Sequence, residues 1–146
     1  MPHAVMFEDD DPYLVRLRRV ALAFPDAEEQ IAHGRPGFRA GKYFAWYGGS
    51  TKGTAGDRIR YDRALIVLPD DADRAALTGD KRFFVPAYLA PSGWIGIDLA
   101  AGGTTLPQEV GWQEVAELLD TSYRQVAGVR RVARLDAEGG PAGPPG

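Results

Sequence analysis

Apolar positions near the N-terminus recur at the spacing of one helix face. Four residues follow an i, i+3, i+7, i+10 pattern, namely Leu14, Leu17, Ala21 and Phe24. An Asp-Pro pair at 11–12 suits the start of a helix, because Asp can cap it and Pro tolerates its first turn. Pro25 ends the pattern. The spacing therefore predicts a helix over residues 12–24.

After residue 27 the period shortens, and short apolar segments alternate with Gly and Pro. Four segments are predicted as strands: 28–33, 37–40, 42–47 and 61–68. Gly41 separates the second from the third, which predicts a tight hairpin with basic and aromatic residues on both arms. The Gly-rich segment 48–58 has little to bury and is predicted as a long mobile loop.

The C-terminal half predicts two more helices and two more strands. Residues 70–78 carry acids in a first helical turn, and residues 111–126 place Trp112, Val115, Leu119 and Val126 on one stripe. Between them, 82–88 and 93–99 are predicted as strands around a Pro-Ser-Gly turn.

The order of these elements predicts an α+β fold. An N-terminal helix, several strands, a short helix, a β-hairpin and a C-terminal helix favour an antiparallel sheet with helices packed on one face. We expect one domain over residues 1–136, followed by a disordered Gly- and Pro-rich tail over 137–146.

Composition excludes several classes of protein. The chain has 146 residues, 45% hydrophobic content and no cysteine, so disulfides, thiolate nucleophiles and cysteine-based metal sites are excluded. No apolar run is long enough to span a bilayer, and the first residues lack a basic segment followed by an apolar one. We therefore expect a cytoplasmic protein with no membrane partner. The sequence does not predict its oligomeric state.

Charge is segregated along the chain. The net charge is −3, but residues 1–29 carry three basic and seven acidic side chains, whereas residues 30–68 carry seven basic and two acidic ones. Binding to DNA depends on a local basic face and not on the net charge of the domain. The acidic total argues only against a protein whose whole surface contacts phosphate.

No motif predicts catalysis, a cofactor or a metal site. A phosphate-binding loop needs Lys before a hydroxyl residue and a following helix, whereas Lys52 follows Ser50 and Thr51 and precedes a strand. His33 has no nucleophile or ligand set near it in sequence, and we interpret it as a structural residue. The sequence thus predicts a protein that is not an enzyme.

Basic and aromatic residues interleave along the central hairpins. The predicted phosphate-binding cations are Arg35, Arg39, Lys42, Arg58, Arg60 and Arg63. The aromatic residues predicted to stack on bases or to line a pocket are Tyr43, Trp46, Tyr47, Trp94 and Tyr123. The same alternation is also expected of strands with one solvated face, so nucleic-acid binding and a plain solvated sheet both remain open.

Four segments in order resemble the MmcQ/YjbR-like family. They are "LAFPDAEEQIAHGRPGFRAGKYFA", "ALIVLPDDADRAAL", "FFVPAYLAPSGWIGIDL" and "WQEVAELLDTSYRQVA". Asp26 stands where the family has Gly, and Gly128 stands where Pro is common. The resemblance covers about residues 14–135.

The resemblance implies a fold similar to frataxin-like and secretion-chaperone-like proteins, and DNA binding through a double-wing motif. By position, the residues that match the family are Arg35, Phe38, Arg39, Lys42 and Phe44 in the hairpin, Trp94 in the second hairpin, and Ser122, Tyr123 and Arg124 in the last helix. The 48–58 loop is longer than usual for the family.

Two main hypotheses of function follow. The first is weak, non-specific DNA binding through the basic hairpins, without catalysis. The second is binding of a small aromatic drug or metabolite in a pocket between the sheet and the C-terminal helix. The candidate pocket residues are Trp46, Tyr88, Trp94, Trp112 and Tyr123. An adaptor that binds a partner at an exposed sheet edge is a third possibility.

Overall fold

Four helices and one six-stranded sheet make up the part of the chain that the computed structural model describes, residues 5–51, 59–87, 89 and 92–143. The helices are α1 (Pro12–Ala21), α2 (Asp71–Thr78), α3 (Trp112–Val126) and α4 (Val129–Glu138). The strands are β1 (Glu28–Ala32), β2 (Arg35–Ala40), β3 (Lys42–Ser50), β4 (Arg60–Val67), β5 (Phe83–Phe84) and β6 (Ile95–Asp98). The α+β prediction is confirmed. None of these described helices is long and apolar enough to cross a membrane.

All pairings in the sheet are antiparallel, in the order β1-β2-β3-β4-β6-β5. The β1–β2 connection has two central residues, His33 and Gly34, with φ of 53° and 80°. Two positive φ angles are what a type I′ hairpin turn requires. Gly41, with φ of 80°, turns β2 into β3 as the sequence predicts.

One face of the sheet packs against α1 and α3. Leu14, Leu17 and Ala21 of the predicted stripe are buried on α1, and Asp11 caps the helix by accepting a hydrogen bond from the Tyr13 amide. The helix ends at Ala21, three residues earlier than predicted, and Phe24, the fourth residue of the stripe, is buried just beyond it. The ring centroid of Phe24 lies 5.7 Å from that of Phe44 and 5.0 Å from that of Tyr123. These aromatic contacts join the end of α1, the sheet and α3 in one core.

Ser122 is a buried polar residue that ties α3 to the sheet. Its hydroxyl donates a hydrogen bond to the Phe44 carbonyl at 2.5 Å and accepts one from the Leu68 amide at 3.0 Å. Both backbone groups lie where strand pairing is interrupted or has ended, so the hydroxyl satisfies groups that would otherwise be buried without partners.

The prediction of a loop from residue 48 is wrong at its start. β3 continues through Gly48 and Gly49 to Ser50, and Gly49 pairs with Tyr61. Glycine suits these positions because the Arg35 and Ile66 side chains lie where β carbons of Gly48 and Gly49 would be. Residues 52–58, including Arg58, lie outside the described residues.

The predicted strand over 82–88 is mostly wrong. Only Phe83 and Phe84 form β5, because Pro86 has no amide to continue the ladder and makes a single bridge to Thr51. The partner strand β6 is also shorter than predicted. Tyr88 lies outside the described residues.

A further helix, α4, follows α3 after a break at Gly128, whose φ is 93°. Sequence reasoning assigned no separate helix here. Leu135 of α4 is 1% exposed, so the helix packs into the core. The helix includes the first two residues of the segment predicted as a tail, and the Ala142 carbonyl accepts a hydrogen bond from Gln113.

Candidate nucleic-acid interface

The predicted basic residues lie at opposite ends of the β2–β3 hairpin. Arg39 and Lys42 flank the turn at Gly41, whereas Arg35 and Arg60 lie where β2 and β4 begin. At about 3.3 Å per residue, the length of β2 separates the two ends by ~17 Å. Arg58 lies outside the described residues, so the structure assigns it to neither end.

Arg35 is largely buried and already paired. Its side chain is 12% exposed, Nη2 lies 3.3 Å from Asp62 Oδ1, and Nη1 lies over Gly48 without a hydrogen bond in the described part of the chain. Burial lowers the pKa of Arg35 from its usual value. Arg60 pairs with the same Asp62 carboxylate. Both guanidinium groups therefore already have a counter-charge.

Arg63 lies at the same end of the hairpin, in acidic surroundings. Its guanidinium carbon is 5.0 Å from the centroid of the Tyr13 ring at the start of α1. The groove next to it is lined by Arg60 and Arg63 and by four acids: Glu8, Asp10, Asp11 and Asp62. Because acids outnumber cations among the described residues that line this groove, the groove favours phosphate poorly.

The turn at Gly41 gathers cations from two elements. Arg39 donates hydrogen bonds to the Gln30 side chain at 3.1 Å and to the Gly41 carbonyl at 3.0 Å. From α4, Nη1 of Arg131 reaches to 2.7 Å from the place that a β carbon of Gly41 would take. We call the five basic residues at this end the turn cluster: Arg39, Lys42, Arg130, Arg131 and Arg134.

Asp26 holds two members of the turn cluster in place. Its carboxylate accepts hydrogen bonds from Arg134 at 2.8 Å and from Arg131 at 3.1 Å, and these bonds lower the pKa of Asp26 in that order of importance. The backbone of Asp26 has a φ of 58°, a conformation that Gly adopts freely and Asp tolerates. This explains how Asp replaces the Gly that the family resemblance leads one to expect.

Two cations of the turn cluster carry no counter-charge. Lys42 and Arg130 are exposed, and neither forms a salt bridge with any described residue. The acids paired within the cluster are Asp26, Glu28 and Glu138. Counted with these three acids, the five cations of the turn cluster leave an excess of positive charge.

The prediction of stacking is wrong for Tyr47 and Tyr123, because both side chains belong to the core. Tyr47 and Tyr123 are 0% exposed. The Tyr47 hydroxyl donates to Asp11 Oδ2 at 2.5 Å, and the Tyr123 hydroxyl donates to the Pro25 carbonyl at 2.7 Å. Burial, above all, raises the pKa of both phenols. Neither ring presents a face to a base.

Core side chains pack between the sheet and α3. Tyr123 fills that space, and Trp46 lies on the opposite face of the sheet. Trp112 is half-buried at the start of α3, where its indole donates to the Pro107 carbonyl at 2.9 Å and Arg16 lies over its ring. Trp94 is half-buried before β6. The predicted aromatic pocket is therefore wrong for Tyr123 and Trp46, and for Trp94 and Trp112 it stays a prediction.

The outer face of the sheet, opposite α1 and α3, carries a ring pair. A bulge at Phe44 turns its side chain into the core and leaves Tyr43 and Trp46 on the same outer face. Their rings stack with centroids 4.1 Å apart. Carbons of both rings lie 2.7 Å from the place that a β carbon of Gly37 would take, so only glycine leaves room for the pair.

A second ring pair lies on the same face. One row of paired residues crosses the outer face: Gly37, Trp46, Ile66, Gly96 and Phe84. The Phe84 ring lies over Gly96, and Tyr61 stacks on Phe84 at 4.1 Å and 16°. Sequence reasoning did not assign a site role to Phe84, although a Gly in a strand that pairs with an aromatic position is a signal of such close contact.

Comparison with known proteins identifies one family. A sequence model of the family described as YjbR matches residues 22–125, more than two thirds of the chain. Searches of curated proteins and of solved structures gave no match. The matched range includes the whole sheet and most of α3, and it ends before α4. The arginines that α4 adds to the turn cluster thus lie beyond the family match.

Proposed function

Since the chain belongs to the YjbR family, we propose that it binds DNA weakly and without sequence preference, through the phosphates, at the turn cluster. The observation that carries the proposal is the docking of α4, which places Arg131 against Gly41, next to Lys42. Cations from the hairpin and from α4 are therefore brought to the same end of the sheet. The proposed role is binding without catalysis.

The charges of the turn cluster fit this role. Lys42 and Arg130 have no counter-charge among the described residues and can pair with phosphate at once. Arg131 and Arg134 are already oriented by Asp26. Contacts of this kind position a protein on DNA but do not read its bases. A net charge of −3 for the chain accounts for an affinity that we expect to be weak.

Neutralising the two unpaired cations tests the proposal. Each phosphate contact on duplex DNA contributes about −0.9 to the slope of log K against log salt. For the double variant Lys42→Gln/Arg130→Gln we expect weaker binding and a salt slope smaller by about two. Fluorescence anisotropy with a labelled duplex between about 50 and 200 mM salt measures both.

Lys81→Gln is the matched control, because Lys81 is exposed but lies near β5, away from Gly41. It removes one positive charge, as Lys42→Gln alone does, and should leave the slope unchanged. Asp26→Asn should instead strengthen DNA binding, because it removes the counter-charge of Arg131 and Arg134. The backbone should keep its conformation, because Asn tolerates the positive φ. An equal loss of affinity in Lys81→Gln and in the double variant would contradict a localised site.

A further inference from the structure

We infer that the DNA is taken as a single strand, whose bases stack on the two ring pairs of the outer face. The inference rests on the proposed DNA binding and adds the form of the ligand. The pairs are Tyr43 with Trp46, and Phe84 with Tyr61. All four rings are half-buried, on a sheet face that the described helices α1 and α3 leave uncovered.

The second pair is built in layers that rise from the sheet. Cε1 and Cε2 of Phe84 lie 2.7 and 2.8 Å from the place that a β carbon of Gly96 would take, and Cζ lies closer still. Such distances place the face of the ring, and not its edge, over the glycine. Tyr61 forms the next layer, almost parallel at 16°. A base can form the layer above Tyr61.

The first pair is held upright over Gly37, with Arg39 beside it. The Arg39 guanidinium carbon lies 5.4 Å from the centroid of the Tyr43 ring. Guanidinium planes and aromatic rings both stack on unpaired bases, and the charge of the guanidinium favours a neighbouring phosphate. This end of the outer face meets the turn cluster, which contains Arg39.

Charge indicates nucleic acid as the occupant rather than an apolar partner. The Arg39 guanidinium lies beside the first ring pair, and Arg131 of the turn cluster reaches the same end of the hairpin at Gly41. A surface with flat rings beside cations matches a chain in which bases alternate with phosphates. A duplex keeps its bases stacked inside, so rings on a sheet face reach the bases only in a single strand.

The spacing of the two pairs sets the length of strand required. Gly37 and Gly96 lie three strand positions apart in one row, or ~14 Å at about 4.8 Å per strand. At about 3.4 Å of rise per nucleotide in stacked DNA, this distance corresponds to roughly four nucleotides, and to fewer in an extended strand. Affinity should therefore increase steeply up to about four nucleotides and more slowly beyond.

The experiment measures the anisotropy of labelled oligo(dT) of two to ten nucleotides and of a matched duplex. We expect single strands to bind more tightly than the duplex. Tyr61→Ala should weaken single-strand binding roughly 5- to 100-fold and should leave duplex binding unchanged, because the duplex uses only phosphate contacts. Phe84→Leu is a second variant, Trp112→Phe is a control remote from the outer face, and thermal melting checks that each variant folds.

The outcomes separate the inference from the proposal on which it rests. Absence of binding to any oligonucleotide would end both. Salt-dependent duplex binding, with single strands no tighter and Tyr61→Ala without effect, would overturn the inference and leave the proposed function intact. A third outcome is a concentration-dependent dimer that Tyr61→Ala abolishes and that oligo(dT) does not disturb. Such a dimer would assign the outer face to a second copy of the chain and would also overturn the inference.

Discussion

Replacing Tyr123 by alanine is expected to lower the free energy of unfolding by about 3–5 kcal/mol, the range for deleting a large buried aromatic side chain. The ring is 0% exposed and contacts the rings of Phe24 and Phe44, with centroids 5.0 and 5.3 Å away. The deletion leaves a cavity between α1, α3 and the sheet. Urea denaturation followed by circular dichroism measures the change.

Tyr123→Phe is the matched control. It keeps the ring and removes only the hydroxyl that donates to the Pro25 carbonyl at 2.7 Å. Loss of one hydrogen bond should cost about 1 kcal/mol, or somewhat more because the carbonyl stays buried. If Tyr123→Ala kept nearly full stability, the ring would not be part of the core, and the pocket hypothesis would regain support.

Replacing Asp11 by alanine is expected to lower the free energy of unfolding by roughly 2–4 kcal/mol, because the carboxylate accepts two hydrogen bonds. Oδ1 accepts the Tyr13 amide at 2.9 Å and caps α1, while Oδ2 accepts the buried Tyr47 hydroxyl at 2.5 Å. The first contact is a helix cap, worth about 0.5–2 kcal/mol. Losing the second leaves a buried hydroxyl without its partner, at about 1–3 kcal/mol.

A double-mutant cycle with Tyr47→Phe separates the two contributions. In the Tyr47→Phe background no hydroxyl is left unpaired, so Asp11→Ala should cost only the helix cap. The coupling energy between the two sites should therefore be about 1 kcal/mol or more. Additive costs would show that the Tyr47 hydroxyl does not depend on Asp11, contrary to the observed hydrogen bond.

The helices and strands could be predicted where a local pattern decides them. The stripe of α1, its Asp11 cap and the Gly41 turn depend on residues close in sequence, and the structure confirms all three. The extension of β3 through Gly48 and Gly49 could not be read in this way. These glycines make room for the side chains of residues from other strands, and composition alone made them resemble a loop.

The candidate site was harder to predict than the fold, because it depends on which face of the sheet a residue occupies. A single bulge at Phe44 reverses the alternation of side chains between the two faces of β3. Tyr43 and Trp46 therefore lie on the outer face, whereas Tyr47 lies in the core. No period in the sequence marks that bulge. The turn cluster likewise depends on the docking of Arg131 onto Gly41, a contact between residues 90 positions apart in the chain.

The contacts of the three residues in α3 that match the family explain why they stand there. Ser122 satisfies backbone groups of β3 and of Leu68, Tyr123 joins α3 to the end of α1, and Arg124 pairs with Asp120 and Asp136 at 2.7 and 2.8 Å. All three hold the helices to the sheet or to one another. The resemblance in this segment therefore reflects the fold, whereas the proposed binding surfaces are the turn cluster and the outer face.

The most direct test of the account is to map the DNA-binding surface of the unmodified chain. In a titration of ¹⁵N-labelled protein with a short oligonucleotide, followed by amide NMR, we expect the largest shifts at Gly41, Lys42 and the first turn of α4 around Arg130. Shifts confined to the opposite end of the hairpin, at Arg35, Arg60 and Arg63, or no shifts at low salt, would contradict it.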